Sequence, residues 1–189
     1  MRHAPRVFLR CLPLLVLAAA RADEAADQFN FATGLLIRNE PRLAAEEFRK
    51  LLDRQPPFAQ ADVACYRLGE ALQKAGDTNG SQAAFERLLR DFPKSERVPS
   101  GRYMLGQLLA ARDPRAAAAH YAAVAADSPL AEPACFGRAE ALYQASDWTN
   151  AAAAYGAVLQ KYAGGRYAPQ ALYSRALSLL QSGAAAAAA

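Results

Sequence analysis

The sequence predicts an all-α fold of the α-solenoid class, built from about four antiparallel helix pairs and one further helix. Three observations carry the prediction. First, an aromatic stands three residues before a Gly or Ala at Phe31/Gly34, Tyr66/Gly69, Tyr103/Gly106, Phe136/Ala139 and Tyr173/Ala176, at steps of 35, 37, 33 and 37 residues. Second, another aromatic follows each of the first four by 17 to 19 residues, at Phe48, Phe85, Tyr121 and Tyr155. Third, a breaker comes next, as Pro56, Pro93, Pro129 or the pair Gly164-Gly165. A period near ~35 residues containing two helical patterns is the mark of stacked two-helix units.

The segment before the first unit has its own character. Arg2, Arg6 and Arg10 form a basic start, Cys11 to Ala20 is an apolar run interrupted by Pro13, and Ala20-Arg21-Ala22 supplies small residues at a cleavage position. This is the pattern of a secretory signal over residues 1–22, cut before Asp23. The run is about half of the ~20 residues that span a bilayer, so no integral membrane span is expected in the mature chain.

In the first unit, helices are expected near Glu24–Arg38 and Pro41–Arg54, with Phe31, Leu35, Ala44, Phe48 and Leu51 at helical spacing. Pro41 falls near the first helical position, where its missing N–H does no harm, and Pro56-Pro57 ends the pair. The second unit is expected as Ala59–Ala75 and Asn79–Phe92. Gly76 suits the left-handed residue after a helix end, and Asp77 or Thr78 the cap of the next helix. Phe85 is expected in the core with Leu88 and Leu89.

The third unit opens after Ser95, tolerates Pro99 early in its first helix, and turns at Asp113-Pro114, a cap followed by Pro at the first helical position. Its second helix, Arg115 to Ala126, is mostly Ala and predicts a thin piece of core. Ser128-Pro129 opens the fourth unit, where Asp147 caps the second helix and Trp148 is read as a packing residue at the turn. The fifth gives one more amphipathic helix through Leu172, Tyr173, Ala176, Leu177 and Leu180. Gly183 then stands where Gly76 stands in its own unit, so residues 184–189 fall where another second helix would start.

Taken together, Leu68-Gly69, Gly76-Asp77, Phe85 and Pro93 fall at the spacing of a tetratricopeptide repeat, which this unit resembles throughout. The fourth unit resembles it through Ala139, Asp147-Trp148, Ala151 and Tyr155, and the first and third through shortened turns. The Ala- and Tyr-rich units are similar to exported, periplasmic repeat proteins of the Tol-Pal system or of outer-membrane protein assembly. This chain departs from those in lacking an N-terminal coiled coil and a lipid-attachment cysteine.

The resemblance implies a non-catalytic scaffold that binds a protein or peptide on a face built by the first helices. It places Phe31, Arg38, Tyr66, Glu70, Lys74, Tyr103, Gln107, Phe136, Glu140 and Tyr143 at partner-facing positions, with Leu35, Gln73 and Gln144 beside them. The aromatic series Phe31, Tyr66, Tyr103, Phe136, Tyr173 has two readings, as packing between neighbouring first helices or as a groove for a partner. An alternative function is the N-terminal scaffold of a larger exported protein whose activity lies downstream.

Other classes have little support. The formal charge is +4, but four arginines and no acid lie in residues 1–22, leaving 18 basic against 18 acidic residues, so a nucleic-acid partner is not expected. His120 is the single mature histidine and lacks the companions of a metal site or a triad, so neither metal nor cofactor is expected. Glu46-Glu47 are neighbours on a helix and do not face each other. Cys65 and Cys135 occupy equivalent positions two units apart, a separation of about 16–20 Å at ordinary helix spacing, and are expected as two buried thiols without a bridge.

Overall fold

The computed structural model describes residues 12–54 and 57–188, with side chains for residues 23–54 and 57–183. Among them are nine helices: α1 (Leu12–Ile37), α2 (Pro41–Leu52), α3 (Ala61–Lys74), α4 (Thr78–Asp91), α5 (Val98–Leu109), α6 (Pro114–Ala122), α7 (Ala131–Gln144), α8 (Trp148–Lys161) and α9 (Ala168–Ala188). The described residues contain no strand. The chain divides into two compact units, Met1–Ala84 and Phe85–Ala189.

In the first unit α1 packs on α2 and α2 on α3, and α1 also touches α3. The core is Ala32, Leu35 and Leu36 from α1, Ala44, Ala45, Phe48 and Leu51 from α2, and Ala64, Leu68, Ala71 and Leu72 from α3. The α2 set lies at i, i+1, i+4 and i+7, the single stripe that a 3.6-residue period buries. Phe48 is fully buried and takes the edge of Phe29, their rings 5.8 Å apart. Phe29 also meets Phe58 at 5.6 Å. Ser81 is buried and donates its hydroxyl to the Gly69 carbonyl at 2.8 Å, so a polar contact fixes the close approach at that glycine.

In the second unit each helix from α5 to α9 packs on the next, and α5 also touches α7. One cluster gathers Leu109, Ala117, Ala118, Tyr121, Ala134 and Ala141, the other Ala139, Ala151, Ala154, Tyr155, Val158 and Ala171. The alanine-rich α6 stops at Ala122, earlier than the run of alanines predicts. Its buried side chains are Ala117, Ala118 and Tyr121, so one ring supplies most of the apolar area of this layer. That ring rests on backbone: a Cβ added at Gly106 would lie 2.6 Å from it and one at Gly137 2.9 Å. Gly34, the equivalent position in the first unit, has nothing within 4 Å of such a Cβ.

The turns follow the local chemistry. The Asp77, Asp113 and Asp147 carboxylates accept from the N–H groups of Gly80, Ala116 and Asn150 at 2.8, 3.0 and 3.4 Å, capping α4, α6 and α8. Pro41 and Pro114 open their helices as expected. Three first helices end in one motif, with the third residue past the helix bonded back over a turn: Glu40 N–H to Leu35, Asp77 to Leu72 and Asp147 to Leu142. The residue before each has positive φ, 61° at Asn39, 81° at Gly76 and 58° at Ser146. Only one of the three is glycine. Serine lacks the tolerance of Gly or Asn for that conformation, so Ser146→Gly is expected to raise unfolding free energy by about 0.5–1 kcal/mol in urea titration.

Several expectations are amended. α1 begins at Leu12, so the helix extends back beyond Glu24. The basic residues at 2, 6 and 10, Cys11 and Pro56 lie outside the described residues, as do the side chains of the expected cleavage site. Cys65 is buried and donates Sγ–H to the Ala84 carbonyl at 3.2 Å, but Cys135 is only half-buried; neither is in a disulfide. Gly183 does not end a helix, because α9 runs through it into the alanines. Alanine's high propensity outweighs one glycine where no capping turn follows. Leu172, Leu179 and Leu180 of α9 are exposed, as is Ala176, the counterpart of the buried Gly69 and Ala139.

Candidate functional site

The second-helix aromatics Phe48, Phe85, Tyr121 and Tyr155 are all buried. The first-helix aromatics are not treated alike. Phe31 is 55% exposed and Tyr173 is 68% exposed, whereas Tyr66, Tyr103 and Phe136 are half-buried. Tyr103 meets Tyr121 edge-on at 5.6 Å, and burial raises its hydroxyl pKa above the ordinary value. Phe136 stacks on Tyr167 at 4.7 Å and tilts against Tyr155 at 5.9 Å. Tyr143 takes the edge of Trp148 at 4.9 Å, the packing role expected of that indole.

The polar candidates divide similarly. Glu70 pairs with Arg67 at 2.8 Å on its own helix face. Gln107 donates to the Tyr103 hydroxyl at 3.3 Å. Arg38 and Lys74 are exposed at the ends of the first helices in the first unit. Glu140 is half-buried and accepts from the Tyr155 hydroxyl at 2.5 Å. Burial, and then that carboxylate, push the Tyr155 hydroxyl far above its ordinary pKa, so it remains a donor.

Two open clefts gather residues from these sets, one in each unit. In the first, Glu24, Asp27, Gln28, Phe31, Lys50 and Arg54 line a cleft of about 560 Å³. Two cations line it: Arg54 bonds Glu24 at 2.9 Å and Gln28 at 3.0 Å within the lining, and Lys50 bonds Glu47, outside the lining, at 2.6 Å. In the second, Phe136 and Glu140 of α7 and Pro169, Gln170, Tyr173 and Ser174 of α9 line a cleft of about 520 Å³. Pro169, Gln170 and Ser174 have no sequence signal of their own; Pro169 and Gln170 lie four and three residues before Tyr173, and Ser174 four after Gln170, which sets them along one side of the helix.

His120 is not among the lining residues of either cleft. It is half-buried, and its Nδ1 is buried without a hydrogen-bond partner among the described residues. Burial, then the Arg102 charge, lower its pKa, with Glu86 opposing. A histidine depressed in the folded state contributes its full stability above the unfolded value near ~6.5 and loses it as pH falls from there towards the folded value. Unfolding free energy is therefore expected to decline on acidification through that window, and His120→Gln to flatten the decline. Among the described residues no three potential metal ligands cluster, and no helix is long and apolar enough to cross a membrane.

Comparisons with known proteins agree with this architecture. The family model of the tetratricopeptide repeat matches residues 64–95 and 134–164. No curated protein matches the chain. Among solved structures, an RS-1 MamA double mutant superposes with a TM-score of 0.67 at 17% identity, over 84% of this chain and 90% of that one. MamA from residue 41 onward from Desulfovibrio magneticus RS-1 gives 0.66 at 17%, over 84% and 91%. A Podosopora anserina protein described as a kinesin light chain with nearly identical TPR-like repeats gives 0.64 at 12%, over 86% and 88%. Residues 64–95 and 134–164 of this all-α chain are thus similar to tetratricopeptide repeats, a kind of unit that generally serves as a non-catalytic scaffold for protein–protein interaction.

Proposed function

We propose that this chain is an exported, non-catalytic scaffold of the bacterial cell envelope that holds a partner protein or peptide on the face of its first helices. Its contact residues would be Phe31, Arg38, Tyr66, Glu70 and Lys74 in the first unit and Tyr103, Gln107, Phe136, Glu140 and Tyr143 in the second. The observation that carries the reading is the exposure of Phe31 and Tyr173, at 55% and 68%, each on a cleft of its own unit. Large rings left open beside polar side chains are the usual anchors of protein contacts. The signal-like residues 1–22 support export to the periplasm, with residues 23–183 as the working scaffold. The alanine- and tyrosine-rich units support a role of the kind found in the Tol-Pal system or outer-membrane assembly.

Photo-crosslinking in cells tests this. A benzophenone amino acid at Phe31 or Tyr173 is expected to give discrete adducts with an envelope protein, whereas one at exposed Lys94 gives none. The recovered chain is expected to begin at Asp23. Adducts equally frequent from Lys94 would remove the contact assignment, and an intact residue 1 in the cytoplasm would remove export.

A further inference from the structure

We infer that the cleft between α7 and α9 is a receptor for an arginine side chain presented by the partner. The inference rests on the scaffold reading above and names the chemistry of one of its contacts. Phe136 and Glu140 stand one helical turn apart on α7, and Pro169, Gln170, Tyr173 and Ser174 occupy one face of α9, so two rigid elements supply the whole lining.

Three features converge on a guanidinium. The first is an unbalanced charge. Glu140 makes no ion pair among the described residues, unlike Glu24, Glu47 and Glu70, which each have a basic partner. Its carboxylate lines the cleft with no lining cation beside it. The second is fixed orientation. The Tyr155 hydroxyl, buried beneath, holds one carboxylate oxygen at 2.5 Å, leaving the other oxygen's acceptor capacity for a ligand. The third is the wall. The 68% exposed Tyr173 ring offers π surface, on which a weakly hydrated planar cation stacks better than an ammonium, the Phe136 ring already being stacked on Tyr167, while Gln170 and Ser174 offer neutral acceptors to the remaining N–H groups. An acidic side chain would face Glu140 with like charge. A purely apolar one would leave that carboxylate desolvated and unpaired.

The first unit's cleft differs on the deciding point, because two cations, Lys50 and Arg54, stand among its own lining residues and Arg54 already pairs with Glu24.

The test uses the whole chain, immobilised, and a random peptide library sequenced after washing. Peptides retained by the native chain are expected to carry arginine at one common position. Replacing that arginine by citrulline, its neutral isostere, is expected to weaken binding at least about tenfold. Glu140→Gln keeps an acceptor for Tyr155 and is expected to cause the same loss, and Tyr173→Ala, at an exposed ring, a similar one. Retained peptides that lack arginine, or that bind equally with citrulline or to Glu140→Gln, would overturn the arginine assignment. If those peptides still failed on Tyr173→Ala, the scaffold reading would stand without it. No retained peptide of any kind would overturn both.

Discussion

Phe48→Ala is expected to lower unfolding free energy by about 3–5 kcal/mol, the range for removing a fully buried aromatic. The ring has no exposed surface, is enclosed by apolar residues of α1, α2 and α3, and meets Phe29 edge-on. Three helices lose their common neighbour at once, and the alanines around it, Ala32, Ala44, Ala45 and Ala64, are too small to collapse into the space. Phe48→Leu is expected to recover most of the loss because it keeps much of the volume. Urea denaturation followed by circular dichroism reads both. A Phe48→Ala loss below about 1 kcal/mol would mean that the first unit's core does not centre on this ring.

Gly106→Ala is expected to destabilise by about 1–3 kcal/mol, with Tyr121 responsible. The new methyl would stand 2.6 Å from the ring, which also lies so near the Gly137 backbone that a Cβ added there would meet it at 2.9 Å. The test is a double-mutant cycle. In a Tyr121→Ala background the same substitution is expected to be neutral or stabilising, since alanine is the better helix former. Equal penalties in both backgrounds would show that something other than the ring crowds Gly106. Tyr121 is also neutral throughout the physiological range, burial having pushed its hydroxyl up to about 12.

These two sites show what the residues announce in advance and what they do not. A repeated aromatic with fixed offset from a breaker already places Phe48, Phe85, Tyr121 and Tyr155 inside, because a second helix is enclosed by its neighbours on the way out and back. Turn chemistry is equally local: Asp77, Asp113-Pro114 and Asp147 act within four residues of themselves, so their caps can be read directly. The first-helix aromatics obey no such local rule. Their exposure depends on what the adjacent helix brings, so Tyr103 and Phe136 pack while Phe31 and Tyr173 stand open. The same holds for Glu140, whose hold on Tyr155 spans 15 residues and exists only once α7 and α8 are packed. Gly137 gave no warning either, since its role is set by a ring from the preceding helix. Gly183 misleads for the opposite reason. A glycine marks a helix end only when the following residues can close the turn, and here alanines follow.

The central claim is a division of labour, in which second-helix rings hold the fold and exposed first-helix rings await a partner. Urea unfolding of Tyr155→Ala beside Tyr173→Ala tests it within one unit. The account predicts a loss of about 3–5 kcal/mol for Tyr155→Ala and a change within about 0.5 kcal/mol for Tyr173→Ala. A Tyr173→Ala chain as damaged as Tyr155→Ala would contradict it, since the ring would then belong to the core and could not be spared for binding.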